Sequence, residues 1–245
     1  MNKYLTIINY RTLIALLIAI VSLLVVYKFD LYYNIDLTFL SIAIIFPLVF
    51  NIRGSFRRRE KALEHLSQFR SSLKTVFYFF ESNPKLTDDD KLRVHDLLIE
   101  ISEKLLVHLR NNSYNTKNID DSVRKVFDFI IEKKEVIPNR TKEKTFRFLN
   151  DVHESIENLH AIHVHRTPIS LKAYCEYFIY IFPIIYAPAI VFKTGIDTPK
   201  YITFFIVMIS EFMLISLYNI QDQMEYPFDN VGLDDINLDI YKFDR

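Results

Sequence analysis

The sequence predicts an all-α membrane protein: four transmembrane helices with a cytoplasmic helical lobe. Three observations lead there. Four apolar runs, near residues 10–29, 36–52, 173–192 and 201–220, approach the roughly 20 residues that a helix needs to cross hydrocarbon. These runs crowd the two ends of the chain, while the middle is charged and carries apolar residues at helical spacing. Glycine occurs only 3 times in 245 residues and no stretch alternates as a strand, which disfavours β folds with many turns and glycine-rich phosphate loops.

The expected organisation is a helical hairpin over residues 1–52, a lobe over 53–168, a second pair of spans over 169–220 and an acidic cytoplasmic tail over 221–245. The opening MNKYLTIINY reads as too short and too weakly basic for a targeting peptide. The link YKFDLYYNID between the first two spans is nearly neutral and aromatic, which suits a membrane interface. The second span turns basic without a helix stop: LTFLSIAIIFPLVF runs into Arg53, Arg57, Arg58, Arg59 and Lys61. Its Pro47 deprives the carbonyl of Ala43 of its helical donor, so a kink or a pore-lining position is expected there.

In the lobe, the second span continues to about Phe80. Further helices are expected over about 88–109, 120–136 and 142–163. Thr87 is a candidate N-cap, with Asp88, Asp89 and Asp90 in the first turn. Leu97, Ile101, Leu105 and Leu109 repeat every four residues, as do Val123 and Phe127, with Ile130 and Ile131 near the same face. Pro183 and Pro188 interrupt the third apolar run. Basic residues follow the second span and, with His163, His165, Arg166 and Lys172, precede the third. The positive-inside rule therefore places the lobe and both termini in the cytoplasm and the protein in the cytoplasmic (inner) membrane.

Several function classes recede. A formal net charge of zero offers no polyelectrolyte case for nucleic acid. Cys175 is the only cysteine, so an internal disulfide or a cysteine-built zinc site is excluded. No HExxH, P-loop, glycine-flanked serine or paired-carboxylate signature is present, and no enzyme and no cofactor is expected. In HAIHVH, His160 lies three residues after Glu157, but a di-iron bundle needs a second such pair. Glu176 sits near enough to an interface to snorkel, and Glu211 is the better candidate for a polar contact between helices.

The remaining candidate is an apolar row. Ile42, Phe46 and Phe50 fall at i, i+4 and i+8 and drift only slowly around the helix axis. Such a row packs a core, faces lipid, or in a ring of copies forms a hydrophobic constriction. The arginines after it either set topology or, as Arg53 and Arg57, place positive charge at a pore mouth.

Three stretches together resemble the bestrophin family of ion channels in its bacterial form. IAIIFPLVF (Ile42 to Phe50) with SFRRREKA (Ser55 to Ala62) is similar to the family's neck and its S-Y-D-R-W-W-E-A segment. HRTPIS (His165 to Ser170) resembles N-T-P-I-P. IQDQMEYPFD (Ile220 to Asp229) with DDINLD (Asp234 to Asp239) resembles I-G-E-Q-L-E-D-P-F-G and N-D-L-P-L-D. The resemblance implies a homopentamer around a central pore, with Ile42, Phe46 and Phe50 lining the neck and Ile169 forming a second, cytoplasmic aperture. Its tail would wrap neighbouring subunits. Asp229, Asp234 and Asp235 stand where animal relatives bind calcium but are spaced differently. Arg59 and Glu60 replace the family's tryptophans.

The function expected is passive ion conduction, leaning to chloride, with partners limited to further copies of the chain, membrane lipid and the permeant inorganic ion. A cation-selective channel of the same fold, or a membrane-anchored interaction scaffold without conductance, are the alternatives.

Overall fold

In the computed structural model, residues 7–111, 114–195, 198–230, 232 and 234–244 are described. Asn9 opens the first helix: its side-chain oxygen accepts from the N–H groups of Arg11 and Thr12, and Thr12 accepts from the N–H of Asn9. This capping box satisfies donors that the first turn leaves orphaned. Helix α1 (Tyr10–Phe29) ends at Asp30, whose φ of 52° is left-handed and stops the helix.

Helix α2 (Thr38–Glu81) is one helix of 44 residues, about 66 Å long at 1.5 Å per residue. Pro47 does not break it. The carbonyl that Pro47 strips of its donor, that of Ala43, accepts from the Tyr174 hydroxyl at 3.2 Å. The lobe helices are α3 (Asp88–Arg110), α4 (Lys117–Glu132) and α5 (Asn139–Val164), followed by α6 (Ile169–Thr194) and α7 (Lys200–Met224). Thr87 caps α3 as expected, reciprocally with Asp90. Helices α5, α6 and α7 open directly behind Pro138, Pro168 and Pro199, whose rings hold φ near the helical value.

Three expectations about element limits need correction. The third lobe helix runs from Lys117 to Glu132 rather than 120–136, because Lys133 to Ile137 form turns and still bury Ile137. The fourth starts at Asn139, immediately after its proline. Pro183 and Pro188 do not interrupt α6, which is continuous.

The chain forms two compact units. The first comprises Met1–Arg57, Thr167–Glu225 and Gly232–Asp234. Four helical runs are long and apolar enough to cross a membrane: Tyr10–Phe29, Thr38–Glu81, Asn139–Thr194 (which holds α5 and α6) and Lys200–Met224. Helix α1 buries Ala15, Ala19, Leu23 and Val26, and small residues at that spacing let helices approach closely without hydrocarbon-driven attraction. Arg11 lies beside Asp222 and Tyr27 stacks on Phe204, so α1 and α7 run antiparallel. Arg11 also meets Glu176, so α1 and α6 start at the same end.

The second unit comprises Arg58–Arg166, Tyr226–Val231 and Asp235–Arg245. Its core takes Leu66, Phe69, Leu73 and Phe80 from α2, Leu98, Ile101 and Leu105 from α3, Val126 and Phe129 from α4, and Leu149, Val152 and Ile156 from α5. The segment read as an acidic tail contributes to this core through Phe228, Ile236, Leu238 and Phe243. Its backbone is tied in where the Phe243 N–H donates to Ser102 Oγ at 3.1 Å and Arg70 Nε donates to the Lys242 carbonyl at 3.0 Å. The units divide at Arg57–Arg58 and Arg166–Thr167, within a few residues of the expected limits.

Candidate functional site

Helix α2 carries two faces. Ile44, Leu48, Asn51 and Ser55 are buried at spacings of four, three and four, the step that keeps one face against neighbours. Leu48 and Ile44 pack with Cys175 and Ile179 of α6, and the Asn51 amide donates to Cys175 Sγ at 3.3 Å. At 100° per residue, Ile42 lies about 200° from Ile44. Ile42, Phe46 and Phe50 therefore project from the opposite side, where they are 46%, 57% and 60% exposed.

The Phe46 and Phe50 rings lean on each other with centroids 6.0 Å apart. Arg53 and Arg57 are exposed within about 60° of the same row, so the apolar face passes directly into a basic one. A groove of about 450 Å³ borders the row, lined by Ile42 and Phe46 with Tyr186, Ile190 and Lys193 of α6. Ile169 opens α6 and is 85% exposed. Asp229 and Asp234 are exposed and Asp235 is half-buried. Asp229 and Asp235 belong to the helical lobe, Asp234 to the membrane unit.

At the end of the membrane unit where α1 and α6 start, charges cluster. Arg11 Nη1 meets Asp222 at 2.8 Å and Arg11 Nε meets Glu176 at 3.6 Å. Lys172 pairs with Asp222 and, at 3.0 Å, with Glu225. Glu225 is buried and also accepts from the Thr167 N–H. Tyr218 donates to Glu176 at 3.1 Å while its ring lies 5.5 Å from the Arg11 guanidinium. The charges are thus paired and hydrogen-bonded, which is the condition for burying them at all.

This reverses the two acids. Glu176, expected to snorkel, makes the contact between helices. Glu211, expected to make it, is fully buried with neither carboxyl oxygen hydrogen-bonded among the described residues.

The histidines are also rearranged relative to expectation. His160 does not pair with Glu157; its Nδ1 lies 3.0 Å from Nε2 of His108 on α3. His163 Nε2 donates to the Asn111 carbonyl at 2.9 Å, which fixes the proton on that nitrogen. Burial, with His160 and His163 alongside, pushes His108 down to about 4, so it is neutral near pH 7. His163 is lowered too, chiefly by burial. Glu157 instead approaches His153 and Asp120, a grouping that sequence spacing showed only as a His–Glu pair four residues apart.

No protein-family model and no curated protein sequence matches this chain. Solved structures do. Variants of a bacterial bestrophin homologue from Klebsiella pneumoniae, each with one substitution, superpose at TM-scores of 0.81, 0.78 and 0.77. Identities are 16%, 15% and 16%; the matches cover 98%, 95% and 95% of this chain and 94%, 95% and 93% of those chains. The chain has the bestrophin fold. Within that fold, the stretches that carried the sequence resemblance occupy structural junctions. SFRRREKA lies where α2 passes from one compact unit to the other, HRTPIS spans the step from α5 to α6, and EYPFD follows the end of α7.

Proposed function

We propose that the chain is one subunit of a homo-oligomeric ion channel, a ring of five copies by the family resemblance, with α2 lining the pore. Ile42, Phe46 and Phe50 form the neck, and Ile169 forms a second aperture. One observation carries the reading: the exposed apolar row of α2 lies opposite the face that anchors it and runs directly into Arg53 and Arg57. A ring of such rows makes a hydrophobic constriction that conducts or closes by wetting and dewetting.

Conduction is passive and needs no cofactor. Arg53 and Arg57 set a positive field at the mouth, and the edges of the phenylalanine rings are partly positive. Both favour an anion such as chloride. The charge pattern flanking the spans places the protein in the cytoplasmic membrane, with lobe and termini in the cytoplasm.

The test is ion flux through purified protein in liposomes, wild type against the Phe46→Ala, Phe50→Ala double variant, under chloride and under sodium gradients. The expected result is chloride flux that rises or changes selectivity in the variant. Sodium flux would give the cation-selective alternative. No flux from either assembled protein would favour a scaffold.

A further inference from the structure

We propose that Asp120, His153 and Glu157 form a site for a divalent transition metal, with zinc the ion it fits, clipping α4 to α5 within the lobe. Helix α5 presents His153 and Glu157 four residues apart, on one face. Helix α4 presents Asp120 opposite them. One ligand atom from each lies within 4.8 Å of the other two, and this is the only such group of three His, Cys, Asp or Glu side chains among the described residues.

The three side chains are gathered but not bonded to one another: among the described residues no hydrogen bond or ion pair joins them. A point equidistant from three atoms 4.8 Å apart lies about 2.8 Å from each, so each ligand has under about 1 Å to travel to reach zinc distances of about 2.0–2.2 Å. Two carboxylates held this close, with no lysine or arginine paired to either among the described residues, repel unless a cation lies between them.

A second observation points to a ligand. Asp120 Oδ2 accepts from the Thr116 hydroxyl at 3.1 Å, which orients the carboxylate. Its other oxygen, Oδ1, is closed off from water and has no hydrogen-bond partner among the described residues. A buried carboxylate oxygen left this way is costly, and coordination supplies what is missing. A cavity of about 430 Å³ adjoins the site, with Asp120, His153, Asn150 and Phe127 on its wall, and leaves room for a water in a fourth coordination position. The imidazole selects against calcium and magnesium, which take oxygen ligands in larger number.

The test uses the full chain in detergent, stripped with chelator and dialysed, then titrated with cobalt(II) by visible absorption and with zinc chloride by calorimetry. One ion per chain is expected, with zinc displacing cobalt and millimolar calcium displacing neither. His153→Ala and Asp120→Asn should each weaken binding by at least about tenfold. His160→Ala, in the separate histidine cluster, should leave it unchanged.

Zinc should raise the unfolding temperature of the wild type but not of His153→Ala. The two proteins should match when metal-free, because His153 is exposed. No binding by the wild type at about 100 µM zinc overturns the proposal. So does equal binding by His153→Ala, loss in His160→Ala, or displacement by calcium.

Discussion

The hydroxyl of Tyr174 on α6 donates to the carbonyl of Ala43 on α2, the one acceptor that Pro47 deprives of its helical N–H. The proline and the tyrosine are therefore two halves of one arrangement: the first creates an orphaned acceptor in an apolar helix, and the second satisfies it from the neighbouring helix. Tyr174→Phe should cost about 1 kcal/mol, at the low end for an unsatisfied carbonyl because the pair is partly exposed. In a Pro47→Ala background the ladder bond returns, and the same Tyr174→Phe change should cost almost nothing. Thermal unfolding of the four proteins in detergent measures the coupling. Equal costs in both backgrounds would sever the link.

Glu211 should be dispensable for stability. Its carboxyl is fully buried and makes no hydrogen bond among the described residues, so Glu211→Gln keeps the shape while removing the penalty of a buried carboxylate. The unfolding temperature of Glu211→Gln should equal or exceed that of the wild type, whereas Glu176→Gln, which weakens the contact to Arg11, should lower it. A marked loss in Glu211→Gln would mean that the carboxyl has a partner supplied by assembly.

The lobe should lose stability in mild acid. Burial, then the neighbouring His160 and His163, lowers His108 in the folded lobe to about 4, below its ordinary 6.5. Between those values the unfolded chain binds the proton that the folded lobe refuses. The contribution is therefore whole above about pH 6.5 and is lost progressively as pH falls to about 4. His108→Gln should flatten that part of the stability profile. Unfolding temperatures measured from pH 7.5 to 4 check it, and an unchanged slope would remove His108 as the cause.

Local chemistry was legible in the sequence, and partnership was not. The limits of α1 and the cap of α3 follow from Asn9, Asp30 and Thr87, because caps act over three or four residues. The end of α4 was obscured by Val136 and Ile137, apolar residues that serve the core from a turn. The four-residue reading of α4 chose Phe127 and Ile131, but Ile131 is exposed. The buried face steps through Val123, Val126 and Ile130, since repeated steps of four drift around the axis.

Glu176 and Glu211 could not be told apart from within their own runs. What separates them is Arg11 and Tyr218, far away in sequence. His160 was likewise read against Glu157, its neighbour in the chain, when its partner is 52 residues back. The exposed row on α2 was visible as spacing, and its separation from the buried face became visible only with the packing.

The two faces of α2 make its length a matter of phase. Ile44, Leu48, Asn51 and Ser55 continue into Ala62, Leu66, Phe69, Leu73, Val76 and Phe80 as one buried line along the whole helix. One inserted residue near Gly54 would turn everything beyond it by about 100°, and two by about 200°, bringing arginines toward the buried side. Seven inserted residues would turn it by only about 20°. Evolution can therefore substitute freely along much of this helix, but it can lengthen or shorten it only in whole heptads.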